Sequence, residues 1–309
     1  MSSKELDNSK AILFMLLHAF AVASLLALMK LLTKDLNSAQ VVFFYKSSLF
    51  ILVLPWVVKG GFINNLKTKK IKLYIFGAVL GTSATLALMY AVKHVPLANA
   101  TILGYLEKIL LVLAGFVLFK EKVSNKKIIA ILMSFFGAII ITVPYTKEIN
   151  SFNIYYLFIF ASIILWVSYC ITVKYLGKTE GIKTQTFYAI GLSSIFSWPF
   201  AFINWGGCDE TIWSNIYPQG LISFSDIGLD TRHVPLILLA ALCYFVVSIS
   251  FFKSMKYGDL SVITPFGYTK VIFSGILGAI FFQEYPSMQH FLGYFIILGA
   301  VWYISKGKL

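Results

Sequence analysis

The sequence predicts an all-α integral membrane protein with ten transmembrane helices, arranged as two inverted five-helix repeats. Three observations predict this fold: an apolar composition, ten apolar runs and an internal repeat. Hydrophobic residues make up 59% of the 309 residues and charged residues 13%, and the mean hydropathy is +0.82. An ordinary soluble domain carries about 25% charged residues. A soluble chain this apolar would lack the polar side chains to cover its surface, and aromatic residues at 17% exclude disorder.

The net charge of +13 does not indicate a nucleic-acid partner. Nucleic-acid binding requires basic residues gathered on one face or tail, whereas here they form small clusters between apolar runs. The three cysteines have no histidine or cysteine neighbours at metal-binding spacing, so neither a metal site nor a structural disulfide is expected. We also expect no cofactor.

Ten segments are long and apolar enough to cross a bilayer, which takes about 20 residues of helix. To within a few residues at each end, they are 11–32, 39–58, 71–92, 98–119, 126–144, 153–175, 184–205, 234–255, 260–282 and 288–305. Most connections are short and favour antiparallel neighbours. The exception is the polar stretch 206–233, which we assign to an outer loop.

The distribution of lysine and arginine predicts the orientation. With the N-terminus inside, the inner connections and termini hold 17 of these residues and the outer ones hold four. Cytoplasmic loops carry such an excess, so both termini are predicted to be cytoplasmic. The first apolar run extends to residue 32, which is too long for a secretory signal, and it is predicted to be a retained span.

Shifting the chain against itself by 163 residues aligns 91–124 with 254–287 without a gap. Ten positions are identical, namely Lys93/Lys256, Leu97/Leu260, Thr101/Thr264, Gly104/Gly267, Tyr105/Tyr268, Ile109/Ile272, Gly115/Gly278, Phe119/Phe282, Glu121/Glu284 and Ser124/Ser287. A weaker register of 144 residues pairs Ser24/Ser168, Lys30/Lys174, Leu32/Leu176 and Pro55/Pro199. Span one therefore corresponds to span six, and spans four and five correspond to spans nine and ten.

The second copy is predicted to be inverted, because five spans per copy is an odd number. The units are predicted as residues 1–146 and 147–309. The charges agree, because the turn of the second copy loses the lysines of the first: Lys120, Lys122, Lys126 and Lys127 become Gln283, Tyr285, Gln289 and His290. Inverted repeats of this kind are typical of secondary transporters, whose substrate sites lie near the midplane at the repeat interface.

The repeated segment resembles the EamA-type repeat of the drug/metabolite transporter superfamily over essentially the whole chain. The ninth span reads Thr-Pro-Phe-Gly-Tyr at 264–268, span two carries Lys46 near its start, and span four carries Glu107 where the family often has Glu-Pro. Here Lys108 replaces that proline. The resemblance implies ten helices, and proton-coupled, gradient-coupled or passive movement of small metabolites across a bacterial cytoplasmic membrane.

The candidate substrate site consists of charges near the middle of spans four and nine. A charge at the bilayer centre costs about 3 kcal/mol on insertion scales, so Glu107, Lys108 and Lys270 should face a cavity or each other. Glu107 and Lys270 are equivalent under the 163-residue shift, so they could pair across the pseudo-two-fold axis; a buried pair that only sets helix register is the alternative. Helical spacing adds these residues to the site: Thr101, Gly104, Thr264, Gly267 and Ser274, with Tyr105 and Tyr268 walling the cavity or packing on neighbouring helices.

Further polar side chains in or beside the spans carry open alternatives. Lys46 either lines the site or extends its amine to the outer surface. His18 either relays protons together with Glu107 or packs as a hydrogen-bonded histidine. Lys30 and Lys174 lie near helix ends and are expected to extend to the surface. Glu121 and its repeat counterpart Glu284 flank turns and are expected to cap their own turns or hydrogen-bond to them.

The sequence therefore predicts a secondary transporter and not an enzyme. The charges in and near the spans sum to +4, which favours a substrate with a carboxylate or phosphate, such as an amino acid or a nucleoside-like metabolite; the family resemblance adds S-adenosylmethionine. No phosphate-binding loop for ATP is present. The alternatives are a membrane enzyme and a lipid scramblase or structural membrane protein. The enzyme would use the polar residues of the outer loop, which are Cys208, Asp209, Glu210, Asp226, Asp230 and His233. The expected partners are lipids and a small metabolite, with the direction, the coupling ion and the oligomeric state left open.

Overall fold

A computed structural model describes residues 7–33, 35–36, 38–58, 67–94, 103–142, 155–201, 230–283 and 285–305. Eleven α-helices lie within these ranges. They are α1 (Asn8–Leu32), α2 (Ser38–Val58), α3 (Ile71–His94), α4 (Leu106–Phe119), α5 (Asn125–Thr142), α6 (Tyr155–Gly177), α7 (Ile182–Ala201), α8 (His233–Tyr257), α9 (Leu260–Gly267), α10 (Lys270–Phe282) and α11 (Met288–Ser305). The prediction of an all-helical membrane protein is confirmed.

Six of the ten predicted spans are long and apolar enough in the structure to cross a membrane. They are Asn8–Leu32, Ala39–Val57, Ile71–Leu88, Tyr155–Gly177, His233–Tyr257 and Leu260–Phe282, the last combining α9 and α10. The other four predicted spans correspond to α4, α5, α7 and α11 and stay predictions. Apolar side chains such as Leu13, Ile164 and Phe295 are exposed on the outside of the bundle, as expected where lipid replaces water.

Helix packing follows the pseudo-two-fold relation that the sequence repeat predicts. The most extensive contacts join α1 to α8, α3 to α6, α5 to α11 and α2 to α7. Each pair takes one helix from each half of the chain, so the two halves interlock. The α5–α11 crossing is close, because a Cβ on Gly137 would lie 2.9 Å from the Gly293 carbonyl oxygen. Equivalent prolines, Pro55 and Pro199, lie inside the paired helices α2 and α7.

The two most similar segments of the repeat run in opposite directions. Glu121, just after the end of α4, contacts the first residues of α9. The C-terminal end of one copy therefore meets the N-terminal start of the other. We call the side of the bundle where α1, α9 and the end of α4 meet the N-terminal face, and the other side the opposite face.

Both of these spans are interrupted at equivalent tyrosines. In span nine, α9 ends at Gly267 and α10 begins at Lys270, with Tyr268 and Thr269 forming a turn. Pro265 contributes to the break because its ring clashes with the preceding helical turn, and the next amides make short-range bonds such as Thr269 N–H to the Phe266 carbonyl. In span four, Tyr105 forms the turn that precedes α4.

The ends of these spans are also equivalent in backbone conformation. Lys120 and Gln283, which are 163 residues apart, are the two non-glycine residues with positive φ in the described chain, at 54° and 57°. Each follows its helix in the left-handed conformation, and each cap amide donates to the carbonyl of an equivalent glycine, Gly115 or Gly278. The repeat is therefore preserved in local geometry as well as in sequence.

Candidate functional site

Glu107 and Lys108 form an ion pair in the first turn of α4. The ammonium of Lys108 lies 2.7 Å from Oε1 of Glu107, and each side chain is 16% exposed. The pair is about 18 Å from the N-terminal face at 1.5 Å per residue of helix, which is near the middle of a hydrocarbon core about 30 Å thick. Charges at this depth are compensated locally, as expected for a membrane interior.

Lys270 completes a cluster of three charges. It is the first residue of α10 and interacts electrostatically with both Glu107 and Lys108. The structure therefore brings together the three residues predicted as the polar core. The direct partner of Glu107 is its neighbour Lys108, while Lys270 acts on the pair through its electric field.

The glycines of the two breaks differ in their surroundings. A Cβ on Gly267 would lie 3.5 Å from Cε and 3.6 Å from Nζ of Lys108, so the Lys108 side chain extends across the backbone of the α9–α10 break. A Cβ on Gly104 would meet no heavy atom within 4 Å among the described residues. Gly104, three residues before Glu107, is therefore not closely packed by any part of the chain that the structure describes.

The two tyrosines at the breaks pack against each other. Their ring centroids are 5.4 Å apart, both rings are buried, and the Tyr268 hydroxyl donates to the Tyr105 carbonyl at 3.3 Å. They pack with Tyr294 and Ile297 of α11, so they hold the breaks together on the side that faces α11.

The remaining predicted lining residues of span nine occupy different environments. The Thr264 hydroxyl donates to the Leu260 carbonyl at 2.6 Å inside α9 and is buried. Ser274 is partly buried on α10. The prediction treated span nine as one continuous helix, and this is wrong at Tyr268, where the turn changes the helical phase. Thr101 lies outside the described residues.

His18 lies beside the charge cluster. Its Nδ1 donates to the Val247 carbonyl at 3.0 Å, and it interacts electrostatically with all three charged residues of the cluster. The carbonyl contact places the proton on Nδ1 and leaves Nε2 to accept one. The imidazole packs on Phe251, with 5.2 Å between ring centroids. His18 is therefore both a packed histidine and a neighbour of the charges.

Aromatic side chains of α6 and α8 form a wall next to the cluster. The Trp166 side chain interacts with the Glu107 carboxylate. The centroid of its ring lies 6.4 Å from that of the Phe251 ring. The Phe251 and Tyr169 ring centroids are 6.5 Å apart, and these two rings are nearly parallel, with an interplanar angle of 8°. The signal available in the sequence was the spacing of Trp166 and Tyr169, which places them on one face of a helix.

Lys46 lies away from the cluster. It is 5% exposed on α2, so it does not extend to the surface, and none of the described residues forms an ion pair or hydrogen bond with its ammonium. It lies about 12 Å along α2 from the opposite face. Helix α2 packs against α7 and α8. The structure does not bring it together with Glu107.

Two expectations about residues near helix ends are wrong. Lys174 does not extend to the surface: it is 7% exposed, and its ammonium lies 2.8 Å from Glu121 and 2.8 Å from the Gly258 carbonyl. Glu121 does not cap its own turn, because its carboxylate accepts the amides of Leu260 and Ser261 in the other half of the chain. No local pattern near Glu121 indicates so distant a partner.

The surroundings of Glu121 set its ionisation. Burial would raise its pKa, but the Lys174 ammonium and the two backbone amides outweigh burial, so the pKa of Glu121 lies below its ordinary value.

The predicted charge of +4 does not gather at one site. Lys174 is paired with Glu121, and Lys30 lies at the other end of the bundle, where its ammonium is 4.5 Å from the centre of the Phe282 ring. Glu107, Lys108 and Lys270 together carry a formal charge of +1.

Two of the residues considered for a membrane enzyme, Asp230 and His233, lie on the opposite face. His233 Nε2 donates to Asp35 at 3.1 Å, while its Nδ1 accepts the Asp230 amide at 3.0 Å, and Arg232 contacts Asp35 at 3.9 Å and Asp230 at 3.1 Å. Both ring nitrogens of the histidine are therefore occupied by protein contacts. The other acidic residues considered, 209, 210 and 226, lie outside the described residues.

Interlocked helical halves, paired broken spans and charges at mid-depth define a multi-pass membrane protein of the transporter class. The EamA-like transporter family matches the chain twice, over residues 9–143 and 153–306. The chain belongs to this family.

Curated relatives agree with this assignment, and a solved structure agrees in fold. The chain is 22% identical to a riboflavin transporter of Brucella anthropi, over 83% of this chain and 84% of that protein. It is 27% identical to an S-adenosylmethionine uptake transporter of Rickettsia prowazekii, over 89% and 85% of the two chains, and 18% identical to a pseudopaline exporter of Pseudomonas aeruginosa, over 96% of each. One crystal structure matches with a TM-score of 0.74 and 15% identity over 96% of each chain, which shows the fold.

Proposed function

We propose that the protein is a secondary transporter that moves a small organic metabolite across the cytoplasmic membrane by alternating access, with both termini in the cytoplasm. The observation that carries this proposal is the meeting of two broken spans at mid-depth, with Glu107 and Lys108 on one and Lys270 on the other. Broken helices with polar residues at the break are the usual binding elements of transporters built from inverted repeats.

We propose that the substrate is an anionic or zwitterionic metabolite with a planar ring, such as a nucleoside-like compound. The cluster carries a net positive charge and suits a carboxylate or phosphate, while Glu107 suits an ammonium or hydroxyl group. The wall of Trp166, Tyr169 and Phe251 suits a ring, because aromatic side chains bind planar groups by stacking. Relatives named for riboflavin and S-adenosylmethionine support this choice.

Counterflow in liposomes tests transport directly. Purified protein is reconstituted, the vesicles are loaded with one unlabelled compound, and entry of the same labelled compound is followed for riboflavin, S-adenosylmethionine, nucleosides and amino acids. We expect saturable counterflow for at least one ring-containing compound. Turnover of a compound without movement across the bilayer, or movement of lipid alone, would contradict the proposal.

Matched variants link transport to the site. Glu107→Gln and Lys270→Met, made separately and together, should each reduce counterflow at least about tenfold, because each removes a charge that a bound substrate would pair with. Lys30→Met is the control, since Lys30 lies near the end of α1. If the double variant transports at the wild-type rate, the site lies elsewhere.

We propose that His18 and Glu107 carry the coupling proton if transport is proton-driven. The Nδ1 contact with the Val247 carbonyl, which leaves Nε2 as the proton acceptor, and the electrostatic interaction of His18 with Glu107 support this role. His18→Gln keeps a hydrogen-bond donor for the Val247 carbonyl but cannot carry a proton. Counterflow should then persist while accumulation driven by an imposed pH gradient is lost.

A further inference from the structure

Glu121 joins the two halves of the chain at the N-terminal face. Its two carboxylate oxygens accept the amides of Leu260 and Ser261 at 2.9 and 3.0 Å, and Oε1 lies 2.8 Å from the Lys174 ammonium. Glu121 belongs to the first repeat, whereas all three partners belong to the second. The same ammonium donates to the Gly258 carbonyl at 2.8 Å. One buried carboxylate thus connects the turn after α4, the end of α6 and the start of α9.

Neighbouring contacts tie the same elements together. The Lys127 ammonium, at the start of α5, donates to the Ser261 hydroxyl at 3.1 Å and lies 3.8 Å from Asp259. The Asp259 amide donates to the Asn8 side chain at 3.2 Å, which adds the first turn of α1. We call Glu121, Lys174, Lys127 and the 258–261 segment the Glu121 network.

The end of α4 and the start of α9 pack closely around the Glu121 carboxylate. A Cβ on Gly115 would lie 2.7 Å from Oε2 of Glu121 and 3.2 Å from Cβ of Leu260. Glycine at 115 therefore allows the carboxylate to lie against α4. Glu121, Lys174, Leu260 and Ser261 are all buried, so at this point the N-terminal face is sealed.

The sealed start of α9 leads directly to the proposed site. α9 is only eight residues long, from Leu260 to Gly267, and its other end is the break that carries Lys270. The carboxylate at its N-terminus also complements the positive end of the helix dipole, which favours the closed arrangement further. A movement of α9 away from Glu121 would open a path toward the break.

We propose that the Glu121 network is the gate of the N-terminal face, and that Glu121 positions α9 so that the site is closed to this side in the state described here. This inference rests on the proposed alternating access. Glu121 is a positioning residue, since it acts on the site through α9. In the other state of the transport cycle, the carboxylate releases Leu260, Ser261 and Lys174 together, because one group holds all three.

Side-specific cysteine labelling tests the gate without a substrate. The three native cysteines, Cys170, Cys208 and Cys243, are replaced by alanine. Gly104→Cys supplies a reporter three residues before Glu107, where no heavy atom of the described residues lies within 4 Å of the new Cβ. A membrane-impermeant maleimide is added either to right-side-out or to inside-out vesicles. The measured quantity is the ratio of the two labelling rates.

Two variants should open the gate by different routes. Glu121→Gln removes the charge, and Gly115→Ala keeps the charge but displaces the carboxylate. Each should raise the labelling rate from the N-terminal face, relative to the opposite face, at least about tenfold, because hydrogen bonds to a charged group are strong enough to shift a two-state equilibrium by that factor. Asp7→Asn is the matched control, since it removes an exposed ion pair with Lys10 on the same face.

The outcomes separate the gate from the proposed function. An unchanged ratio in Glu121→Gln or, if that variant does not fold, in Gly115→Ala would overturn the gate, and so would an equal rise in Asp7→Asn. A raised ratio in a protein that shows no counterflow would support the gate while the proposed function fails. Counterflow by the wild-type protein, together with an unchanged labelling ratio in the two variants, would support the proposed function and overturn the gate.

Discussion

The two broken spans have the same backbone conformation at the break, but their equivalent positions 107 and 270 carry opposite charges. Tyr105 and Tyr268 adopt nearly the same conformation, with φ of −68° and −72° and ψ of −19° and −21°. The equivalent amides of Lys108 and Val271 each donate to their tyrosine carbonyl at 3.1 Å. Two residues after the tyrosine, however, one copy has Glu107 and the other Lys270. The comparison shows that the repeat preserves the break while its polar residues have diverged, as a pseudo-symmetric site for an asymmetric substrate requires.

The cause of the break also differs between the copies. Pro265 precedes the break in span nine, and the equivalent residue of span four is Ile102, outside the described residues. A proline is therefore not needed at this position for α4 to begin at Leu106. Mutual packing of the two tyrosines is the feature that both copies share.

Exchanging the charges of the two breaks gives the largest expected effect. Glu107→Lys and Lys270→Glu alone should each abolish counterflow, because each places like charges together at mid-depth. The double exchange should recover part of the flux, since opposite charges again face each other across the breaks. Recovery no greater than that of the worse single variant would show that the two positions are not coupled.

Removing Lys108 should destabilise the protein more than removing Lys270. Lys108→Met leaves the buried Glu107 carboxylate without its direct partner, which typically costs about 3 kcal/mol or more of unfolding free energy. Lys270→Met removes a longer-range interaction and should cost less. Unfolding in detergent, followed by circular dichroism, measures both. Equal losses would contradict the assignment of Lys108 as the direct partner.

Acidification should weaken the start of α9. Because the pKa of Glu121 is lowered on folding, its contribution to stability is complete above the ordinary value of 4.5 and is lost as the pH falls through the folded value. The melting temperature of the wild type should therefore fall below about pH 4.5. Glu121→Gln should show a smaller fall over the same range. Parallel curves for the two proteins would show that other carboxyl groups account for the loss.

The smallest effect is expected at the two left-handed caps. Lys120→Gly and Gln283→Gly should each raise stability by about 0.5 kcal/mol, because glycine adopts a positive φ without strain but gains freedom in the unfolded chain. Thermal unfolding of the two variants measures this. The two gains in stability should be equal if the copies are as similar in backbone as they are in sequence. Gly104→Ala, away from these caps, is a reference for an ordinary glycine substitution.

The fold was predictable from the apolar runs and the repeat, because both can be recognised from the types of residues and their spacing. The repeat also predicted that Glu107 and Lys270 occupy equivalent places. It did not predict the direct pairing of Glu107 with Lys108, since adjacent residues on a regular helix diverge by about 100°. Long-range contacts of Glu121 and Lys174 were missed for a related reason. A carboxylate beside a turn has many helix starts within reach after folding, and sequence spacing does not select among them.

The hydrogen bond from the Tyr268 hydroxyl to the Tyr105 carbonyl has a mechanical consequence. It joins the break of one copy to the break of the other at a place where both tyrosine side chains are buried. If one half-helix moved alone, the Tyr268 hydroxyl and the Tyr105 carbonyl would both lose their hydrogen-bond partner in a buried environment, which is unfavourable. In the proposed alternating access, the motion of lowest cost therefore moves the two breaks together, so that displacement on one side of the bilayer would be transmitted to the other.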